Sequence, residues 1–230
     1  MRYLWPLLLL GCVAPVEDPG PLTGTCEADG PSVAAQRLAG GIDPDGRTGV
    51  LTSDTGWYLL ADRLTDDGVE IATWFSSDEG ATWSPSLPLA LVEDRFVGNV
   101  STVRFGGEQW VYFQTAAREV DPPVLWRSRF DGDRFGPVEA VRPLLSATSW
   151  ASAPVLWSDG GAVWAAYRTD EGVPAIAAAA DGVLFAEIDP PLQEPVESFL
   201  VGAFGDGTIL AVWQREDGPA LLSQTVGEGW

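Results

Sequence analysis

The stretch Ser76-Ser77-Asp78-Glu79-Gly80-Ala81-Thr82-Trp83 decides the fold of this chain. The Asp at its third position can accept hydrogen bonds from backbone N–H groups further along, and the Gly at its fifth position can take the positive φ of a tight turn. The Trp places a large apolar ring at the start of the strand that follows. The stretch therefore predicts a turn between two β-strands, with Ser76, Asp78, Gly80 and Trp83 as its structural residues.

Degenerate copies of this turn recur at intervals of roughly 50 residues, the length of one propeller blade. Their aromatic residues are Trp83, Phe135, Phe185 and Trp230. Each unit contains a first strand of small and β-branched residues, a Gly-rich turn, an aromatic second strand and a third strand that ends at the recurring turn. A fourth strand follows the first three turns, at Ser84–Leu91, Gly136–Leu144 and Ala186–Leu192.

These units predict an all-β fold. The apolar runs are short and are bounded by Gly, Asp and Pro, which is typical of strands and not of helices. Four units of four antiparallel strands predict a β-propeller of about four blades. The last unit lacks a fourth strand, and residues 31–38 resemble the fourth strand of the second unit. We therefore expect the N-terminal strand to close the last blade and to cover its edge.

The pattern S-x-D-x-G-x-T-W at residues 76–83 resembles the Asp-box, or BNR repeat, of sialidases and related β-propellers. In that family the box is structural and lies away from the active face. Catalytic sialidases also carry a Phe/Tyr-Arg-Ile-Pro motif, an Arg triad and a Tyr nucleophile with a Glu partner. The motif is missing from this sequence, so the resemblance implies the architecture of residues 30–230 and no catalytic residue.

Composition excludes several classes of function. The chain has 13 basic residues against 33 acidic ones and a net charge of −20, which argues against nucleic acid and anionic membrane surfaces as partners. All 13 basic residues are Arg, and His is absent. Ser-His-Asp triads, Cys-His pairs and His-ligated zinc are therefore excluded.

The N-terminus predicts export. Arg2 precedes an apolar run, Leu4–Leu10, that is too short to span a bilayer. The run ends in Leu9-Leu10-Gly11-Cys12, which resembles a bacterial lipobox, although an ordinary signal peptide that happens to contain Cys remains an alternative. We expect residues 1–11 to be a lipoprotein signal peptide, Cys12 to be lipidated, residues 12–29 to be a disordered tether, and the protein to be anchored to the cell envelope. Cys26 is then a free thiol without a disulfide partner.

One Arg follows the second strand of each unit, in an exposed loop that also carries acidic residues, as Asp62-Arg63 does in the first unit. Guanidinium groups bind carboxylates in a bidentate manner, so a ring of Arg predicts a ligand-binding rim. Weak ion pairs at the surface are the alternative. The four residues are Arg63, Arg118, Arg168 and Arg215.

No cofactor is predicted. Asp43-Pro44-Asp45-Gly46 resembles the start of a calcium loop but lacks the later acidic ligands, so no metal site is expected. The sequence favours a monomeric, non-catalytic envelope lipoprotein that presents its propeller to an envelope protein or glycan. The alternative is a glycoside hydrolase of exo-sialidase type with a divergent active site.

Overall fold

Every regular element in the described part of the computed structural model is a β-strand. The described residues, with side chains, are 47–66, 68–86, 96–117, 123–141, 153–169, 171–188 and 194–196, and the backbone of three more strands follows. All of them belong to one unit, Ala35–Trp230. The expected signal peptide, Cys12, the tether, residues 31–38 and Arg118 lie outside the described residues. No helix long and apolar enough to cross a membrane occurs in the part that was searched.

The strands form consecutive antiparallel meanders, which we call sheets 1 to 4. Sheet 1 contains β1 (Thr48–Ser53), β2 (Gly56–Thr65), β3 (Gly68–Ser76) and β4 (Ser84–Pro85). Sheet 2 contains β5 (Phe96–Phe105), β6 (Glu108–Ala116), β7 (Val124–Phe130) and β8 (Glu139–Ala140). Sheet 3 contains β9 (Val155–Ser158), β10 (Val163–Arg168), β11 (Pro174–Ala179) and β12 (Ala186–Ile188). Sheet 4 contains β13 (Ser198–Ala203), β14 (Thr208–Arg215) and β15 (Gly218–Thr225).

Tight turns connect the first and second strands of sheets 1, 2 and 3. In sheet 2, Gly106 and Gly107 both have positive φ, at 61° and 79°, and Phe105 pairs with Glu108. Such a two-residue turn matches the twist of the strands it joins, and it requires residues that tolerate positive φ at both positions. The Gly-Gly pair in the sequence is therefore sufficient to fix this hairpin.

Sheets 1, 2 and 3 pack face to face in succession. The core between sheets 1 and 2 is built from Leu51, Leu60, Ile71, Val97, Val100, Val111, Phe113 and Phe130. A second core joins sheets 2 and 3 through Val103, Tyr112, Leu125, Val141, Leu156, Val163 and Tyr167. Adjacent residues on β2, Leu60 and Ala61, point to opposite faces and are both fully buried. Sheet 1 is thus covered on both faces, as a blade inside a propeller is.

The first strands of consecutive sheets lie against one another, β1 against β5, β5 against β9, and β9 against β13. A Cβ on Gly49 would come within 2.5 Å of Thr102 Cγ2, so only Gly permits this approach of β1 to β5. The sheets therefore share two common ends. We call the end with the first-to-second and third-to-fourth turns the turn end. The loop end holds the starts of the first strands and the second-to-third connections.

The prediction of an all-β fold made of repeated antiparallel units is confirmed. One predicted fourth strand starts later than expected, since β8 begins only at Glu139. Pro137 has no N–H to donate to a ladder, which accounts for the late start. The residues that the prediction adds to β4 beyond residue 86 lie outside the described part of the chain. A single parallel pair, Val69 with Phe96, joins sheets 1 and 2. Among the described strands no pairing joins sheet 4 to sheet 1, so four closed blades remain a prediction.

Candidate functional site

A buried carboxylate, Asp62, organises the loop end between sheets 1 and 2. It lies near the end of β2 and is only 3% exposed. Its Oδ2 accepts hydrogen bonds from the backbone N–H of Asn99 at 2.8 Å and of Arg47 at 3.1 Å. Its Oδ1 accepts a longer bond of 3.4 Å from the backbone N–H of Val100. One side chain therefore fixes the position of the residue before β1 and of the first part of β5.

The backbone of β5 is reshaped to meet this carboxylate. Its pairing with β6 shifts register between Gly98 and Ser101, as in a β-bulge, and Asn99 has a φ of 55°. A Cβ on Gly98 would stand 3.1 Å from the carboxyl carbon of Asp62, so Gly leaves the room that the carboxylate occupies. Bulges of this kind are common beside active sites, where they re-aim a side chain.

The amide of Asn99 extends the network toward β6. Its Nδ2 donates to Gln114 Oε1 at 3.1 Å, and Gln114 is 2% exposed. A buried amide held in this way is a fixed polar group and not a mobile surface side chain.

Arg47 carries the network to sheet 3. Its guanidinium donates to the carbonyl oxygens of Ala153 and Pro154, which lead into β9. The network therefore ties together the starts of three successive first strands, β1, β5 and β9. We call Arg47, Asp62, Asn99 and Gln114 the loop-end network.

Burial controls the protonation of this network. Removal from water raises the pKa of Asp62, and this effect outweighs the opposing hydrogen bonds from Arg47, Asn99 and Val100 and the nearby Arg47 charge. Removal from water likewise lowers the pKa of Arg47, although the Asp62 charge opposes the change. The loop end thus contains a carboxyl that holds its proton to higher pH than an exposed Asp does.

Three of the four predicted rim arginines lie at or near the ends of second strands. Arg63 lies on β2 and its Nε donates to Glu70 Oε1 at 2.6 Å. Arg168 ends β10 and donates to the carbonyl of Val196 at 3.3 Å. Arg215 ends β14, for which only the backbone is described. The prediction that Asp62 and Arg63 belong to an exposed loop is wrong, because β2 continues to Thr65 and turns Asp62 inward.

The octapeptide forms its turn at the opposite end. Asp78 Oδ1 accepts from Ser76 Oγ at 2.7 Å and from the backbone N–H of Thr82 at 2.8 Å, while Ser76 Oγ accepts from the Gly80 N–H at 2.8 Å. Hydrogen bonds from Thr82 and Ser76 lower the pKa of Asp78 to about 2. Gly80 has a φ of 89° and lies against the rings of Trp57 and Trp83. These residues shape a turn far from the loop-end network.

The degenerate copies of the turn keep part of this pattern. Asp181 Oδ1 accepts from the backbone N–H groups of Val183 and Leu184 at 2.8 Å each, and Asp131 Oδ1 accepts from that of Arg134 at 3.2 Å. Within the described residues, no group of three or more His, Cys, Asp or Glu side chains could hold a metal ion.

Comparison with known proteins shows similarity at the level of structure. No protein-family model and no curated protein matches the chain. Its fold resembles that of Zg3597, a family 117 glycoside hydrolase of the marine bacterium Zobellia galactanivorans, at 15% identity and a TM-score of 0.57, over 80% of this chain and 66% of that one. An endo-arabinase from Bacteroides thetaiotaomicron matches at 12% identity and a TM-score of 0.54, over 79% and 75%. The α-L-arabinanase of Penicillium chrysogenum, complexed with arabinobiose, matches at 11% identity and 0.54, over 80% and 64%.

These likenesses establish a β-propeller-like fold of the type found in glycoside hydrolases. The chain spans about two thirds of the length of Zg3597. The prediction of a non-catalytic binding module is contradicted, because these three solved structures with a similar fold are glycoside hydrolases. That prediction inferred the lack of catalytic activity from the lack of the sialidase motif. Glycoside hydrolysis requires only two suitably placed carboxyl groups, which many sequences can supply without that motif.

The sequence reasoning missed the loop-end network. It placed Asp62 on an exposed loop and gave Arg47, Asn99 and Gln114 no role. The sequence did contain a signal for burial, since Asp62 lies two residues after the apolar Leu60 and therefore faces the same side of the strand. A carboxylate that faces the same side of a strand as the core residues is expected to be buried and hydrogen-bonded.

Proposed function

We propose that this protein is a glycoside hydrolase whose active site lies at the loop end. The observation that carries the proposal is the shared fold, since about four fifths of the chain superimposes on glycosidases. The loop-end network supports the location, because it fixes the starts of three first strands around a buried carboxyl. Rigid elements that hold polar groups in place are what a catalytic site requires.

Asp62 is a positioning residue in this proposal. Its two oxygens already accept three backbone N–H groups, so it holds the site and does not attack the sugar. The reacting pair, one acid and one base or nucleophile, must come from other carboxyl groups at this end. Candidates are the acidic residues that the sequence places before first strands or between second and third strands: Asp43, Asp45, Asp66, Asp67, Glu93, Asp94, Glu119, Asp121, Asp170, Glu171, Glu194, Glu197, Glu216 and Asp217.

We propose a neutral glycan as substrate. The net charge of −20 repels sialosides and polyuronates, which carry carboxylates of their own. Two of the similar structures are named for action on arabinan, so α-L-arabinosyl linkages are the first to test. The rim arginines, Arg63, Arg118, Arg168 and Arg215, are proposed to border the active site at the loop end.

Export and anchoring complete the proposal. Lipidation at Cys12 would hold the propeller at the envelope, where a glycosidase meets extracellular glycans. Replacing Cys12 with Ser is expected to move the protein from the membrane fraction to the soluble fraction. Retention of the variant in the membrane fraction would refute lipid anchoring while leaving the glycosidase proposal intact.

Sugar release from soluble glycans tests the activity. We expect the purified protein to release sugar from debranched arabinan and not from sialyllactose. Among carboxamide variants of the fourteen acidic candidates, two are expected to lose about a hundredfold or more in turnover, the scale that acid–base catalysis contributes. Asp133→Asn, an exposed acid at the turn end, serves as the control. Absence of turnover on arabinan, xylan and mannan alike, or full activity in all fourteen variants, would refute the proposal.

A further inference from the structure

A polar cleft opens at the turn end, remote from the loop-end network. It has a volume of about 560 Å³ and lies between the turns of sheets 1 and 2. Cavities of a few hundred cubic ångströms hold ligands of the size of one or two sugar rings. We call it the turn-end cleft.

The floor of the turn-end cleft is fixed before any ligand arrives. Gln109 on β6 reaches across to β1, where its Oε1 accepts from the Thr52 N–H at 2.9 Å and its Nε2 donates to the Thr52 carbonyl. The adjoining turn has no side chains, and a Cβ on Gly106 or Gly107 would meet nothing within 4 Å. A ligand can therefore approach the rigid backbone here without displacing side chains, which lowers the cost of binding.

Most charged side chains that line the turn-end cleft form ion pairs, and one acidic and one basic side chain are available to a ligand. Glu108 is paired with Arg129 at 2.7 Å, and Asp131 is paired with Arg134 at 2.9 Å. Asp54 and Arg104 also line the cleft and are exposed, and their side chains form no hydrogen bond or ion pair with another described residue. The cleft thus offers one carboxylate that accepts from hydroxyl groups and one guanidinium that donates to oxygen.

We propose that the turn-end cleft is a second glycan-binding site, selective for neutral sugars. One unpaired carboxylate and one unpaired guanidinium in the same cleft suit a ligand rich in hydroxyl groups, because each can bond two neighbouring hydroxyl oxygens. An anionic ligand would gain one partner and be repelled by the other. The ligand class rests on the proposed glycosidase function, whereas the site itself rests on the cleft.

The two sites are far enough apart to act together on one polymer. The strand β2 runs from the turn end at Gly56 to Asp62 near the loop end, a separation of roughly 20 Å at about 3.3 Å per residue. A polysaccharide held in the turn-end cleft would leave the loop end open. Binding at both ends would raise the effective concentration of polymer at the active site.

Affinity electrophoresis in gels that contain debranched arabinan tests the site without requiring activity. We expect the full chain to be retarded, and Asp54→Asn and Arg104→Gln each to bind about tenfold more weakly, the loss typical of one charge-assisted hydrogen bond. Asp133→Asn is the matched control and should be retarded like the parent. Circular dichroism confirms that each variant is folded.

The outcomes separate the two proposals. Retardation that the cleft variants lose supports the second site, even in a protein that releases no sugar. Turnover of a short aryl arabinoside should remain unchanged in Asp54→Asn, because that substrate does not span both ends. A parent chain that is not retarded by arabinan, or cleft variants retarded as strongly as the parent, would overturn the second site and leave the glycosidase proposal to its own test.

Discussion

Removal of the Asp62 carboxylate gives the sharpest test of the loop-end network. In Asp62→Ala the backbone N–H groups of Arg47, Asn99 and Val100 lose their acceptor inside the protein. Each buried donor left without a partner costs about 1–3 kcal/mol. Some relaxation and entry of water reduce the sum, so we expect a loss of about 4 kcal/mol in the free energy of unfolding, within the range for breaking a buried charged contact.

Urea denaturation followed by Trp fluorescence measures this loss. With a slope of about 3 kcal/mol/M at most for a small protein, a loss of 4 kcal/mol lowers the midpoint by roughly 1.3 M or more. A midpoint within about 0.3 M of the parent would refute the reasoning, because it would mean that water or a neighbouring group replaces all three bonds at little cost.

The isosteric variant Asp62→Asn separates charge from shape. It keeps one acceptor oxygen and cannot titrate. Burial raises the pKa of Asp62 in the folded state, so the folded protein binds a proton that the unfolded chain has already released. The stability of the parent therefore falls as pH rises from about 3.9, the ordinary Asp value, through the folded pKa. The advantage of the parent over Asp62→Asn should shrink across that interval, and an advantage that grows with pH would contradict the assigned direction.

Three further variants test the turns. Gly182→Ala adds a Cβ that would stand 2.6 Å from Arg127 and 2.8 Å from the Tyr112 hydroxyl at a φ of 69°, so it should cost about 2–4 kcal/mol by urea denaturation. Gly160→Ala, with a φ of 93° and nothing within 4 Å, should cost only about 1 kcal/mol, and equal losses would show that the contacts are unimportant. Because hydrogen bonds hold the pKa of Asp78 at about 2, its contribution is present above the ordinary Asp value and is lost as pH falls toward 2. Thermal unfolding from pH 4 to pH 2 should therefore show a steeper loss in the parent than in Asp78→Asn, and parallel slopes would argue against it.

Much of the fold follows from short-range patterns in the sequence. The second strands are apolar, the Gly-rich turns before them fix two-residue or similarly tight hairpins, and the recurring Asp sets the third-to-fourth turns. Each of these signals involves residues within a few positions of one another. The order of first, second and third strands in each unit could therefore be predicted, although β2 extends further than expected, to Thr65. The late start of β8 could not be predicted, because Pro137 removes a ladder donor where the pattern alone suggests a strand.

The loop-end network depends on contacts that no local pattern contains. Asp62 bonds to residues 15, 37 and 38 positions away, and Arg47 bonds to carbonyls 106 and 107 positions away. These separations along the sequence are bridged because the sheets stack and place the starts of successive first strands next to one another. A carboxylate on the same side of a strand as the core residues indicates that a buried partner must exist, because a carboxylate without one would be too costly to bury. The identity of the partner depends on which strand lies opposite. Site prediction in a repeated β fold therefore becomes possible once the order of the sheets is known. The residues to search are polar ones that lie on the buried side of a strand.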